Sequence, residues 1–335
     1  MMTKWYRWAA YAGAASVAIL IIGVATTTLL WQTRAPLEDL DWPVAEPSLE
    51  SDGAVTVTWL GISTLLFDDG ETQILTDGTF TRLSISDFLL FRPVRSDIAG
   101  INYALGEFRI DHLAAIIPLH SHFDHAMDVG NVANRTTAVI LGSESTANIA
   151  RGARVPVRQY QILANGESRH FGEFTVTLIE NRHAPIGPGD SEWFAGIIEW
   201  PLEQPARIAE WRTGVVYSLL INHPRGSTLV QGSAGVTEGV LANHDADTVM
   251  LTIGGLASLG KSHAQKYWQE TVSATGATQV FAIHFEDFTQ PFGNVSLFPD
   301  IADNVVQAAD WINEYATEAG IVVQRLPFGV PITLY

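Results

Sequence analysis

The chain contains no cysteine. That excludes disulfides, thiolate-held zinc and a lipid-modified cysteine anchor. Any zinc site has to be built from His, Asp and Glu. Basic residues are scarce too: 19 Lys and Arg stand against 36 Asp and Glu, a formal net charge of −17. Such an acidic surface repels a phosphate backbone, so nucleic acid is not expected as substrate or partner. Charge of either sign is missing from residues 8–33, WAAYAGAASVAILIIGVATTTLLWQT. About 20 helical residues cross a hydrocarbon core of about 30 Å, so this stretch predicts one transmembrane helix. Trp8, Tyr11 and Trp31 lie near its ends, where interfacial aromatics belong. Lys4 and Arg7 precede it, while Glu38, Asp39, Asp41 and Glu46 follow Arg34. The positive-inside rule then places the amino terminus in the cytoplasm and the rest of a single-pass protein outside. A cleaved signal peptide is the alternative, but the stretch is long for one and no clean Ala-x-Ala site follows.

Beyond this anchor, residues 1–34, the segment 35–53 is rich in Pro and acid and reads as a linker. Residues 54–335 then form the main domain, large enough for a sizeable core. Alternating or β-branched runs predict strands at 54–60, 65–67, 73–76, 138–141, 155–160, 168–171, 173–180, 195–200, 213–221, 249–253 and 279–283. Later strands are expected at 321–323 and 332–334. Helices are expected at 126–134, 143–151, 262–275 (with Ser262 as cap) and 305–317. The stretch 79–112 is mixed. It holds the apolar run Phe88–Phe91, which suits a core helix or a surface against a bilayer.

The densest chemistry lies at 113–125, LAAIIPLHSHFDH. Leu113 to Leu119 reads as a buried strand. It ends at His120, and His122, Asp124 and His125 follow at once. Three imidazoles and a carboxylate in six positions are either solvated or hold a cation. Neutral imidazole and carboxylate suit a borderline ion such as zinc.

The pattern His120-x-His122-x-Asp124-His125 resembles the signature of the metallo-β-lactamase superfamily. The opening WLGISTLLFDDGETQILTDGTF is similar to one branch of it, which contains the ascorbate-lactonase-like and N-acylphosphatidylethanolamine phospholipase D-like proteins. Ile62 stands where that branch commonly has His, and Gly78 where it has Pro. The resemblance covers most of the chain beyond the linker. It implies an α+β fold, a four-layer αββα sandwich with metals at one edge of two facing sheets. It implies that His120, His122 and His183 (in NRHAP) hold a first metal, and that Asp124, His125 and His284 (in VFAIHFEDF) hold a second. Zinc is the expected cofactor, one ion or two, with iron and manganese as alternatives. Asp124 is also the catalytic candidate, orienting a metal-bound hydroxide toward an ester, lactone or phosphodiester bond. The substrate class is a small or lipid-like molecule, lipids being favoured by the anchor and by the apolar insertion. Asp77 reads either as the partner that orients a ligating His or as a turn residue. His263 reads either as a pocket residue or as a surface residue at a helix start, and His223 as surface.

One position departs from the resembled pattern. The Asp that bridges two metals is replaced by Ser233, in LVQGSAG. A hydroxyl is a poorer ligand than a carboxylate. One metal is then held, or two without a protein bridge, or activity is lost. The last case makes the protein a metal-poor binding or scaffold protein of the envelope.

Overall fold

A computed structural model describes residues 2–47, 53–187, 189 and 191–335. Its centre is a pair of seven-stranded sheets. In the first, the strands run in the order Ile332–Thr333, Thr56–Trp59, Leu65–Asp68, Gln73–Thr76, Leu113–Ile117, Val139–Gly142 and Tyr160–Ile162. In the second they run Val323–Arg325, Gln279–Ile283, Thr248–Thr252, Gly226–Gln231, Val216–His223, Phe174–Asn181 and Ser168–Phe171.

Side chains on a strand alternate between faces, and the first sheet uses both. Leu65, Phe67, Ile74, Ala115 and Ile117 point into the core shared with the second sheet. Their neighbours Leu66, Leu75 and Ile116 belong to a separate cluster with Ile101 and Ala104 of the helix Ile98–Glu107 and Ile149 of the helix Glu144–Gly152. Two buried faces explain why Leu113–Ile117 is unbroken apolar sequence. The helices Lys261–Trp268 and Val305–Ala319 pack on the second sheet through Ala264, Tyr267, Ala308 and Ile312. Helix, sheet, sheet, helix is the expected four-layer sandwich. The helix Met2–Gln32 is exposed from Tyr11 to Leu30, and its stretch Tyr6–Gln32 is long and apolar enough to span a membrane.

Parallel pairing sets up the site. Gln73–Thr76 and Leu113–Ile117 run side by side with Thr76 opposite Ile117. In the other sheet, Thr252 lies opposite Ile283. The carboxyl ends of these strands meet at one edge of the sandwich, and the loops leaving them carry Asp77, His120–His125, Gly254 and His284.

Several expectations are corrected. Residues 195–200 form no strand, because their backbone is taken up elsewhere: Ile198 N–H donates to Ser145 Oγ (3.0 Å) and Ile198 O accepts from Asn148 Nδ2 (2.7 Å). Around Pro156, the expected strand 155–160 is a single 3-10 turn, Val157–Gln159, before the strand Tyr160–Ile162. The helix expected at 126–134 is broken into Phe123–Ala126 and Val129–Ala133. At the break the Asp128 carboxylate accepts from Phe80 N, Thr81 N and Thr81 Oγ1 (2.9, 2.7 and 2.8 Å). The helix expected from the cap Ser262 is capped two residues earlier, at Gly260 (φ 85°), and passes through a π turn, Gln269–Ser273, before ending near Thr275 as expected. Nor is the segment 35–53 a free linker where it is described. Leu40, Trp42 and Ala45 are buried in the core, and Ala45 N–H donates to Arg325 O (2.9 Å). Residues 48–52 lie outside the described residues.

Gly152 ends its helix against the Leu202 backbone. A Cβ there would lie 1.9 Å from the Leu202 carbonyl oxygen. Alanine gains about 1 kcal/mol of helix propensity, but a backbone contact cannot yield as a side chain can, and overpacking costs about 1–3 kcal/mol. Gly152→Ala is therefore expected to lower the thermal midpoint, as calorimetry would show.

Candidate metal centre

Two three-residue clusters meet at the sheet edge: His120, His122 and His183, then Asp124, His125 and His284. Within each, the potential ligand atoms lie within 4.8 Å of one another. The imidazoles of the first cluster form a near-equilateral triangle, with centroids 4.7, 4.9 and 4.8 Å apart. His120 Nε2 and His122 Nδ1 are 3.0 Å apart. Two nitrogens at about 2.0–2.1 Å from a tetrahedral zinc ion lie about 3.3 Å apart. In the second cluster Asp124 Oδ2 is 3.5 Å from both His125 Nε2 and His284 Nε2. The clusters adjoin, since the His120 and His125 rings are 3.8 Å apart.

Neighbours choose the nitrogen that faces inward. His183 Nδ1–H donates to Ala184 O (2.8 Å), which frees Nε2. His122 Nε2 pairs with Thr213 Oγ1 (3.0 Å), which turns Nδ1 toward His120. His125 Nδ1–H donates to Asp77 Oδ2 (2.8 Å), leaving Nε2 toward Asp124. Such outer bonds fix tautomer and ring orientation at metal sites. Of the two readings of Asp77, the structure selects the orienting one. Asp77 is fully buried, sits at φ 53° and also accepts from Leu119 N–H (2.8 Å).

Electrostatics agree with a cation-shaped site. Burial lowers the three imidazoles of the first cluster, helped at His120 by the surrounding histidines. His122 falls to about 3 and His183 to about 4. All three are neutral, ligand-ready rings at neutral pH. Burial raises the Asp124 carboxyl, but the charges of His125 and His284 outweigh it and hold the group well below the usual carboxylate range. His125 moves up, burial being outweighed by Asp77 and Asp124. The side chains of this site thus fit a metal ion.

Ser233 lies where the sequence puts it, lining the cavity over the clusters. Its hydroxyl accepts the Ala184 N–H (2.9 Å) and so braces the loop that carries His183. Among the described residues no carboxylate takes the bridging place. Asp303 was not foreseen. It lines the same cavity, accepts from Gly255 N–H through Oδ2 (2.8 Å), and leaves Oδ1 buried without a partner. Burial pushes it up to about 6. No motif surrounds it in sequence, and only the closing of the chain brings it to the site. Thr213 was equally hidden. His263 is corrected to a support residue, since its Nε2 pairs with Ala234 O (2.8 Å) rather than facing the cavity. His223 is not a surface residue either: its side chain is 7% exposed and faces Asp69 across 3.5 Å.

No family model matches the sequence, and no curated protein resembles it in sequence. Solved structures do match it in shape. A possible metal-dependent hydrolase from Veillonella parvula aligns with TM-score 0.51 at 14% identity, over 84% of this chain and 100% of that one. Igni18, a metallo hydrolase from the archaeon Ignicoccus hospitalis, gives 0.50 at 13%, over 84% and 99%. CmlA, a diiron β-hydroxylase from Streptomyces venezuelae, gives 0.50 at 14%, over 86% of this chain and 55% of that one. The fold is the metallo-β-lactamase fold.

Two consequences can be measured. Unfolded imidazoles titrate near 6.5, whereas folded His122 and His183 titrate at about 3 and about 4. The unfolded chain therefore binds more protons between those values. At these residues metal-free protein gains stability above about 6.5 and loses it as pH falls toward 4. Thermal midpoints of chelated protein are expected to drop across that range, more steeply than in His183→Ala; equal slopes would refute the assignment. Ser233→Asp adds a carboxylate at the missing bridge. It is expected to slow metal loss to a chelator about tenfold or more.

Proposed function

We propose that this protein is a membrane-anchored metal-dependent hydrolase of ester, lactone or phosphodiester bonds, with lipid-derived substrates favoured. One observation carries the reading: two ligand clusters, with the tautomers of His122, His125 and His183 already set, converge on a cavity of about 580 Å³. That volume is in the range of about 300–1,000 Å³ usual for small-ligand sites.

His120, His122 and His183 would hold one ion, and Asp124, His125 and His284 a second. Bound metal supplies Lewis acidity and a hydroxide nucleophile at neutral pH. The chain does the rest. Asp124 is ionised, and its Oδ2 faces both Nε2 atoms of its cluster, so the carboxylate is placed to hold and orient the attacking water. Asp77 and Thr213 keep His125 and His122 turned inward. Phe88, Phe123 and Phe288 form an aromatic wall, with Phe88 and Phe123 centroids 5.4 Å apart, that keeps bulk water out. Among the described residues Asp303 is the other carboxyl group lining the cavity, and burial pushes it up to about 6, so that below that pH it can give a proton to a leaving group. Zinc suits the nitrogen-rich first cluster. The diiron centre named for CmlA makes iron the alternative to be measured. The charge of −17 disfavours nucleic acid. The flanking charges support an amino terminus in the cytoplasm and a domain outside.

A second reading, the metal-poor envelope scaffold, draws on one fact: the Ser233 hydroxyl is committed to Ala184 N–H. The six ligating side chains weigh against it. Elemental analysis of the full chain is expected to find one to two zinc, iron or manganese ions per chain. Asp124→Ala is expected to lose metal and to cut hydrolysis of 4-nitrophenyl acetate, a fatty-acyl lactone or bis(4-nitrophenyl) phosphate about 10²-fold or more. No metal after reconstitution would sink the hydrolase and favour the scaffold.

A further inference from the structure

The membrane-length helix does not merely precede the domain, because its last turn forms part of the cavity. From Tyr11 to Leu30 every side chain of the helix is exposed, and none lies against the domain. Trp31 is the first to be half-buried, and it lines the same cavity as the six ligating residues. The chain is pinned just beyond it. Arg34 Nη1 donates to Asp287 Oδ2 (2.8 Å), to Ser296 Oγ (3.0 Å) and to Leu297 O (3.4 Å). Asp300 N–H donates to Thr33 O (3.2 Å). The Asp287 side chain is fully buried and also accepts from Thr289 and Gln290, so Arg34 meets a fixed partner. A tether would swing; this connection holds the helix end against the cavity.

A tryptophan at the end of a spanning helix sits at the headgroup level. The cavity wall containing Trp31 therefore lies at that depth. The wall is apolar: Ile85, Phe88, Ile186, Phe288 and Phe298 line it with Trp31, and the polar groups gather at the ligand clusters. Its apolar lining also continues outward. Phe88 is followed by Leu89, Leu90 and Phe91, which are 63%, 58% and 77% exposed. Contiguous exposed apolar side chains beside a pocket mark an interaction surface. The spanning helix, whose Trp31 lines the cavity together with Phe88, supplies the bilayer as the surface they meet.

We propose that the cavity draws a single-chain amphiphile directly out of the bilayer, with the acyl chain between Trp31 and the Phe88–Phe288–Phe298 wall and the polar head at the histidines. The proposal rests on the spanning helix and deepens the hydrolase reading by naming the substrate class, a chain-bearing ester. In that reaction the water oxygen bonds to the acyl or phosphoryl centre, the bond to the leaving oxygen breaks, and the leaving alcohol takes the proton. The helix is then one wall of the binding site.

The test uses the full chain in phosphatidylcholine vesicles carrying a photoactivatable sixteen-carbon fatty acid. Mass spectrometry of the irradiated protein is expected to find adducts on the peptides holding Trp31, Phe88 and Phe288. Those at Phe88 and Phe288 should fall about tenfold in Trp31→Ala and recover in Trp31→Phe. Adducts confined to helix residues 6–30 would overturn the proposal. So would cavity adducts that Trp31→Ala leaves unchanged, in a variant shown by its thermal midpoint to be folded. The readout is independent of turnover. Cavity adducts without hydrolysis of any ester would support the bilayer-drawn ligand while ending the hydrolase reading. Hydrolysis of 4-nitrophenyl acetate without cavity adducts would do the reverse.

Discussion

The site depends on one buried carboxylate. Asp77 follows a strand of the first sheet and binds across to the loop of its parallel neighbour, accepting from Leu119 N–H and from His125 Nδ1–H at 2.8 Å each. With no water around it, the group is stable only because both oxygens are used. Those two bonds settle where the turn after Leu119 begins and which way His125 looks. His120, His122 and Asp124 lie between those two points, so their places follow. On the other sheet the corresponding constraint is a backbone one, the His284 N–H donated to Ile62 O (3.0 Å).

Much of this was legible in the chain. His120 through His125 announce themselves because a buried strand that ends in four ligand-type residues has few structural uses. His183 and His284, each just after an expected strand, come from the resemblance, and both strands end at the cavity. The two-faced burial of the first sheet explains why Leu113–Ile117 read as a strand without alternation. What escaped depends on long-range closure. Asp303 and Thr213 are ordinary polar residues in loops, and each acquires its role only from partners 48 and 91 positions away. The misread strand at 195–200 has the same cause. Its apolar residues suit a ladder, but side chains of the helix Glu144–Gly152 take its backbone bonds first.

Ser233 shows how one replacement can change a role without emptying a place. A bridging carboxylate would add negative charge between two cations. The hydroxyl instead holds the Ala184 N–H, next to the ring it helps to seat. Gly235 belongs to the same arrangement: a Cβ there would lie 2.1 Å from Arg182 O, so the loop carrying His183 can lie flat against it. Each cluster keeps one imidazole nitrogen without a partner, His120 Nδ1 in the first and His284 Nδ1 in the second, while His122, His183 and His125 are braced by neighbours.

Ile62 carries a further consequence. It is a β-branched residue at φ 53°, a conformation such side chains rarely adopt, and it lies beside the site. Its N–H is taken by Glu286, and its carbonyl accepts both Trp59 Nε1 (3.0 Å) and His284 N–H. Held from three sides, the strained residue acts as a fixed post for His284. A glycine would relax the backbone there, but it would also remove a side chain that is 1% exposed, and that loss of about 2–5 kcal/mol exceeds a strain of about 1–3 kcal/mol. The same relaxation would loosen a ligand. At position 62 stability and function pull the same way: the buried side chain that keeps the backbone strained also keeps His284 in its place.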